Sequence, residues 1–320
     1  MNIMSDEKRF LLIESKKNLA NGVVQLTFVR PNGAELPPWE VGAHIDLNFV
    51  ANGVEYARQY SLCSRNSDRT QWQIAVLHCF DGRGGSAFIH QTLTEGETIC
   101  VSGPRNNFPL VEAKSYVFIA GGIGITAILP MVEQVAATDA DWRLIYAGRS
   151  RASMAFLDQV AAYSGDKVLI FESDIQGLPD FNTLIREADP LALIYCCGPE
   201  PMLRAIENCP SAGNRVHLER FAPREDHGAR TNTEFEVEFA RSGVIGKVPP
   251  DRSILDVAEE LGVDIDSSCQ EGVCRTCETR VIAGDPDHRD GVLTAKERRE
   301  NKCIMVCVSR SHSAKLVLDA

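Results

Sequence analysis

The chain has 320 residues, 44% of them hydrophobic and 24% charged, with a net charge of −11. This length allows two or three domains with their own cores. The acidic balance argues against a nonspecific nucleic-acid binder, which needs Lys and Arg to neutralise phosphates. No apolar run approaches the ~18–20 residues needed to cross a bilayer, and the first residues lack a signal-peptide core. The expected compartment is the cytoplasm, where eleven cysteines read as thiols rather than as a disulfide framework.

In chain order, residues up to about Phe108 form short β runs broken by turns: "VVQLTFV", "HIDLNFV", "RQYSLCS", "QWQIAVL" and "TICVSGP". Several alternate at period two, and their spacing predicts a small antiparallel barrel. Within this region "DGRGGSAFIH" places Gly84, Gly85 and Ser86 before a short helical stretch, where their backbone N–H groups can face a phosphate. From Tyr116 the pattern becomes strand–helix. "SYVFIAGG" leads into a helix over 125–137, "WRLIYAGRS" into a helix around 155–162, "KVLIFES" into a helix near 181–187, and "LALIYCCG" follows. Short apolar strands alternating with helices predict a parallel sheet covered on both faces. Residues 222–234 are polar with Gly and Pro and read as a linker. Then "EFEVEFARSGVIGKVP" reads as a hairpin turning at Arg241–Gly243, and "SILDVAEELG" as an amphipathic helix capped by Ser253.

The cysteine loop "CQEGVCRTC" follows, with Cys269, Cys274 and Cys277 at C-x4-C-x2-C spacing. A zinc site usually shows two C-x2-C pairs or a Cys–His set. A redox dithiol needs only Cys274 and Cys277 and leaves Cys269 unused. The plant-type 2Fe–2S pattern uses all three and takes a fourth thiolate from elsewhere. Gly272 lets so short a loop turn. Cys303 and Cys307 both qualify as the fourth ligand. They are four apart, so on a strand they share a face, and periodicity does not choose between them.

"CQEGVCRTCETRVIAGDPDHRD" followed by "MVCVSR" resembles the C-terminal ferredoxin domain of the phthalate dioxygenase reductase family, which serves Rieske oxygenases and includes the reductases of vanillate and carnitine oxygenation. The resemblance implies a β-grasp α+β ferredoxin domain with Cys307 as fourth ligand, leaving Cys303 as a small core residue. One departure is Arg275, where the family usually has Gly. The resemblance covers essentially the whole chain. It implies a flavin-binding antiparallel β-barrel over 1–111, an α/β parallel-sheet NAD domain over 112–222, a linker over 223–233 and the ferredoxin over 234–320.

The other two domains carry their own motifs. "ARQYSLCS" supplies Arg58, Tyr60 and Ser61, and resembles the Arg-x-Tyr-Ser motif of ferredoxin–NADP reductase-like flavoproteins. A flavin wants an aromatic partner, hydrogen bonds to its polar edge and a cation for its phosphate. The strand through Ile74, Ala75 and Val76 would pass under the ring, and Gly84, Gly85 and Ser86 would take the phosphate. The barrel-first, ferredoxin-last order favours FMN over FAD. "IAGGIGITAI" places Gly121, Gly122, Gly124 and Thr126 at a strand-to-helix turn and resembles the family's GGxGxT nucleotide motif, with Ala127 where Pro is common. "CCGPEPML" supplies Cys197, Gly198, Pro199 and Met202, which in the family lie along the nicotinamide, while Cys196 reads as core. Arg149 and Ser150 end a strand, where parallel sheets bind ligands. Asp174 suits the adenosine ribose and would repel a 2′-phosphate, favouring NADH over NADPH. Phe221 corresponds to the aromatic that covers the flavin ring in the family.

Together the motifs imply hydride transfer from NADH to FMN, then single-electron steps through the 2Fe–2S cluster to a Rieske-type oxygenase component. No side chain need act as a general acid or base. A monomer is expected. From Glu234 to Ala320 the chain has 17 acidic and 12 basic residues. That excess suggests that Glu259, Glu260, Asp264, Asp266 and Glu271 help dock an electropositive oxygenase surface. The alternatives are a flavin or ferric reductase with a vestigial cluster, a reductase for a non-Rieske hydroxylase, and a zinc-binding interaction protein.

Overall fold

The computed structural model describes residues 7–51, 53–163, 165–224 and 231–320. Most of the predicted linker, residues 225–230, lies outside them. The chain divides into two compact units, residues 1–219 and 220–320.

The first unit begins with β1 (Arg9–Ala20), β2 (Val23–Val29), β3 (Ala43–Ala51), β4 (Val54–Ser61), β5 (Trp72–Leu77), the short helix α1 (Gly85–Gln91) and β6 (Thr98–Asn106). These six strands form one antiparallel sheet in the order β4-β3-β6-β1-β2-β5. Its end strands β4 and β5 meet, so the sheet curls into a barrel. Leu11, Ile13, Leu26, Phe28, Ile45, Leu47, Trp72 and Ile74 fill the interior. Lys16 fixes α1 to this barrel. Its ammonium donates to the carbonyls of Ile89, His90 and Leu93 at 2.9, 2.8 and 2.7 Å, which satisfies the end of the helix.

The strand–helix half follows: β7 (Ser115–Gly121), α2 (Ile125–Ala136), β8 (Asp141–Gly148), α3 (Leu157–Ala161), β9 (Val168–Glu172), α4 (Ser173–Gln176), α5 (Phe181–Arg186), β10 (Leu193–Cys197), α6 (Glu200–Glu207) and β11 (Val216–Glu219). All five strands are parallel, in the order β11-β10-β7-β8-β9. Every residue of β7 is buried, as the apolar run requires of a central strand covered on both faces. One face packs on α2 and α3, the other on α5 and α6. The expected helix over 155–162 is shorter, because Phe156 takes a left-handed φ of 61° and α3 starts only at Leu157. The chain turns to either side of β7 and makes a switch point there, with the carboxyl ends of β7 and β10 adjacent.

The second unit holds β12 (Phe235–Phe239), β13 (Val244–Val248), α7 (Ile254–Glu260), β14 (Glu278–Ala283), β15 (Pro286–Asp287), α8 (Ala295–Glu300), β16 (Cys303–Met305), β17 (Arg310–Ser311) and β18 (Lys315–Leu318). The main sheet runs β13-β12-β18-β14-β16, with β12 and β18 parallel at its centre. α7 lays Ile254, Leu255, Val257 and Ala258 on it, a β-grasp arrangement. Ser253 caps α7 as predicted: its side chain accepts from the Asp256 N–H at 3.0 Å, and Asp256 accepts from the Ser253 N–H at 2.8 Å. The shared-face argument for Cys303 and Cys307 does not apply. β16 ends at Met305, and Cys307 lies in the turn after it.

Candidate functional site

In the barrel, β4 has period two, so Tyr56, Arg58 and Tyr60 share one face opposite Phe49, Leu47 and Ile45 of β3. Arg58 lies over the Tyr56 ring, 4.9 Å from its centre. A Cβ on Gly85 would stand 3.1 Å from Arg58 Nε, and one on Gly84 would stand 3.2 Å from the Tyr56 hydroxyl. The glycines therefore bring the backbone up to the guanidinium. Tyr56 was not singled out by the sequence. It donates to the Arg83 carbonyl at 2.7 Å and ties the glycine loop to the strand. Ser86 is turned inward on its own loop, where its hydroxyl accepts from the Cys79 N–H at 3.0 Å. Burial pushes the Tyr60 phenol up, against the pull of Arg58.

Ser61 points to the other face, beside its cross-strand partner His44. Both are buried, and among the described residues Ser61 Oγ and His44 Nε2 find no hydrogen-bond partner. Burial, helped by Arg105, pushes His44 down to about 4, so it is a neutral ring at ordinary pH. Two orphaned polar atoms side by side on the paired ends of β3 and β4 fit the polar edge of a bound ring system. Ala75 is buried where the barrel packs on the parallel sheet, in one core with Ile125 and Ala127.

At the switch point the two glycine motifs interlock. A Cβ on Gly124 would stand 2.2 Å from the Cys197 carbonyl oxygen, one on Gly121 2.6 Å from Pro199 Cδ, and one on Gly198 2.8 Å from Met202 Sδ. Gly122 has a left-handed φ of 52° and open space around it. Thr126 is buried, and its hydroxyl already donates to the Ile123 carbonyl at 2.9 Å. Cys197 is buried, which pushes its thiol well up, with Glu219 adding to the effect. At the ends of β8 and β9, Arg149, Ser150 and Asp174 come together, and the Asp174 N–H donates to the Arg149 carbonyl at 3.1 Å. Asp174 is exposed on α4, a helical turn the sequence pattern did not suggest.

Glu219 is a residue that sequence reasoning passed over. It ends β11 beside Cys197 in register. Its Oε2 is sealed from solvent and finds no partner among the described residues, and burial pushes its carboxyl up to about 8. Only its place in "HLERF" signalled it. Phe221, two residues on, is the second residue of the second unit and is 43% exposed.

In the second unit Cys269, Cys274, Cys277 and Cys307 are all buried, whereas Cys303 is half-buried. Cys277 and Cys307 lie in one buried core, the Cys269 thiol accepts from the Glu271 N–H at 3.2 Å, and the Cys274 thiol donates to Thr276 Oγ1 at 3.2 Å. Cys274 is pulled down by the neighbouring Cys269 and Cys277 by the neighbouring Cys307, while Cys269 and Cys307 are pushed up by the same neighbours and by burial. Among the described residues, no three His, Cys, Asp or Glu side chains converge on one ion-sized point. Four buried thiols supply the ligand set that a 2Fe–2S cluster needs. Gly272 makes this possible. Its φ is 71°, and a Cβ there would stand 2.6 Å from Val308 Cγ2, so only glycine lets the loop approach the Cys307 turn.

Comparison with known proteins agrees with this division. Residues 237–312 match a 2Fe-2S iron-sulfur cluster binding domain, and residues 11–109 match an oxidoreductase FAD-binding domain. Phthalate dioxygenase reductase of Burkholderia cepacia is 38% identical over 316 residues, which cover 97% of this chain and 96% of the relative. The chain belongs to the phthalate dioxygenase reductase family. A solved structure of phthalate dioxygenase reductase, described as modular for electron transfer from pyridine nucleotides to a 2Fe-2S centre, is 38% identical with a TM-score of 0.70, covering 98% of each chain. An intact type IV self-sufficient cytochrome P450 monooxygenase is 37% identical with a TM-score of 0.87. It is matched over all of this chain but 43% of its own, so the present chain spans less than half of that protein.

As a member of this family the chain is an oxidoreductase, an NADH-dependent reductase component of a Rieske-type oxygenase system. Its cofactors are those of the family: FMN, a 2Fe–2S cluster and NADH as reductant. Among the described residues, no helix is long and apolar enough to cross a membrane.

Proposed function

We propose that Cys269, Cys274, Cys277 and Cys307 hold the cluster, and that the barrel and parallel sheet hold FMN and NADH against each other. The four buried thiols, with Gly272 letting the loop approach the Cys307 turn, carry the first part of this reading. When bound, the flavin accepts a hydride and gives up electrons singly, and the cluster takes them one at a time. The chain's own residues bind and orient. Arg58 and the backbone of Gly84, Gly85 and Ser86 take the flavin phosphate; Tyr60 and Ala75 flank the ring; Ser61 meets its polar edge. Gly121, Gly122 and Gly124 let the pyrophosphate approach the backbone, with Thr126 holding the turn. Cys197, Gly198, Pro199 and Met202 line the nicotinamide, and Arg149, Ser150 and Asp174 hold the adenosine end. The proposed domain limits are 1–111, 112–222 and 234–320, joined by a linker over 223–233. The proposed setting is a cytoplasmic monomer, which sedimentation of the purified protein checks.

The deciding experiment is an anaerobic NADH titration followed by visible absorbance. Flavin and cluster bands should bleach together with about three electrons taken up per chain. Bleaching of a flavin alone would overturn the cluster assignment.

For the acceptor, we propose that Glu259, Glu260, Asp264 and Asp266, all exposed, together with Glu271 face an electropositive oxygenase surface. Rates of oxygenase reduction should then fall steeply between low and physiological ionic strength; a flat salt profile refutes it. A second reading is transfer to a P450 haem, favoured by the match to the self-sufficient P450 over this chain's whole length. Reduction of a purified P450 faster than of a Rieske oxygenase would select it.

A further inference from the structure

Arg275 stands between two of the proposed cluster ligands, in a conformation that suits glycine better. Its φ is 61°, in the left-handed region, which is strained for a residue with a Cβ. Something must hold it there, and its guanidinium shows what. Nη2 donates to both carboxylate oxygens of Glu297 at 2.8 Å, and to the Val292 carbonyl at 3.3 Å. Nη1 donates to Glu278 Oε2 at 3.0 Å. The three side chains are only 24%, 34% and 35% exposed.

Glu297 does two jobs with one carboxylate. It closes the capping box of α8, accepting from the Thr294 N–H at 2.7 Å while Thr294 Oγ1 accepts from the Glu297 N–H at 3.2 Å. The same group grips Arg275. The cysteine loop is thus fastened to the first turn of α8, and through Glu278 to the start of β14, which follows Cys277 directly.

We propose that Arg275 is a positioning residue: it fixes the cluster loop on α8 and offsets two carboxylates that otherwise oppose electron entry. This rests on the reading of the four cysteines as cluster ligands. Reduction adds one negative charge to an already anionic centre, so nearby positive charge favours it and nearby negative charge disfavours it. Arg275, Glu278 and Glu297 together carry one net negative charge. Losing the arginine leaves two; neutralising Glu297 leaves none. Because the group is partly buried, these changes are screened less than on an open surface. The two substitutions therefore push the potential in opposite directions, which loosened packing alone would not do.

The test is a mediated redox titration of the holoprotein, following the cluster bands and the electron paramagnetic resonance signal. Arg275→Gly should reduce the ratio of reduced to oxidised cluster at fixed poise by up to about tenfold, or about 59 mV for one electron. Glu297→Gln and Glu278→Gln should raise that ratio, and the double variant Arg275→Gly with Glu297→Gln should return toward the parent value. Arg275→Lys, which keeps the charge but loses the fork, should keep the potential yet lose its cluster to a chelator faster. If Arg275→Gly retains no cluster, the two Glu variants still decide by sign. A cluster present throughout with unmoved midpoints, or with every midpoint moving the same way, overturns the proposal. A wild-type protein without cluster bands overturns instead the ligand assignment beneath it.

Discussion

The nucleotide site at the switch point and the cysteine site in the second unit are built on opposite principles. The cysteine site works by side chains: four buried thiols are drawn together, and one glycine makes room. The switch point works by missing side chains, since Gly121, Gly124 and Gly198 matter for the atoms that a Cβ would strike. A site made of side chains should lose its ligand but keep its fold when one group is removed. A site made of absences should lose its shape when one group is added.

The largest effect expected is at Cys307. Cys307→Ser should abolish the cluster bands while NADH still bleaches the flavin fully, and Cys303→Ser should leave both intact. Metal and sulfide analysis with anaerobic spectra checks the pair. Loss of the cluster in Cys303→Ser but not in Cys307→Ser would exchange their roles.

Next comes the converse. At Gly124 an added methyl meets the Cys197 carbonyl at 2.2 Å, a backbone atom that cannot swing aside. Gly124→Ala should destabilise the first unit by roughly 2–4 kcal/mol and slow flavin reduction by NADH, with the cluster bands unaffected. Thermal melts and stopped-flow reduction read the two effects. An alanine variant with native stability and native reduction rate would show that the switch point tolerates a filled backbone approach.

The same contrast explains what could be read from the sequence. The C-x4-C-x2-C spacing states its chemistry directly, because thiolates at that spacing have few other uses. The fourth ligand was not readable from periodicity. The strand that would have made Cys303 and Cys307 equivalent stops at Met305, and a strand end leaves no periodic signal. The alternating and apolar strand runs gave the barrel and the parallel sheet, since burial on one or two faces is written into the hydrophobic pattern. Tyr56 and Lys16 were invisible for another reason. Each acts on backbone carbonyls far along the chain, at Arg83 and at the end of α1, and no local spacing encodes such a contact. Glu219 was hidden because an acidic residue near a strand end looks like ordinary surface until its burial is known.

Glu219 gives the narrowest prediction, an effect whose slope is confined to one window of pH. Burial raises its carboxyl from 4.5 to about 8 in the folded chain. Below about pH 4.5 both folded and unfolded chains hold the proton, so its ionisation costs the fold nothing. Between 4.5 and 8 the unfolded chain releases the proton while the folded chain retains it, so stability falls as pH rises. Above 8 both are ionised and the penalty is constant. Glu219→Gln cannot ionise and escapes this loss. Its melting curve should therefore match the parent near pH 4.5 and gain steadily to pH 8, by roughly 2–4 kcal/mol at the plateau. Altered packing of the amide would shift the variant by the same amount at every pH, so the slope carries the information. Parallel curves would mean that the Glu219 carboxyl is ionised to the same extent in the native and the unfolded chain.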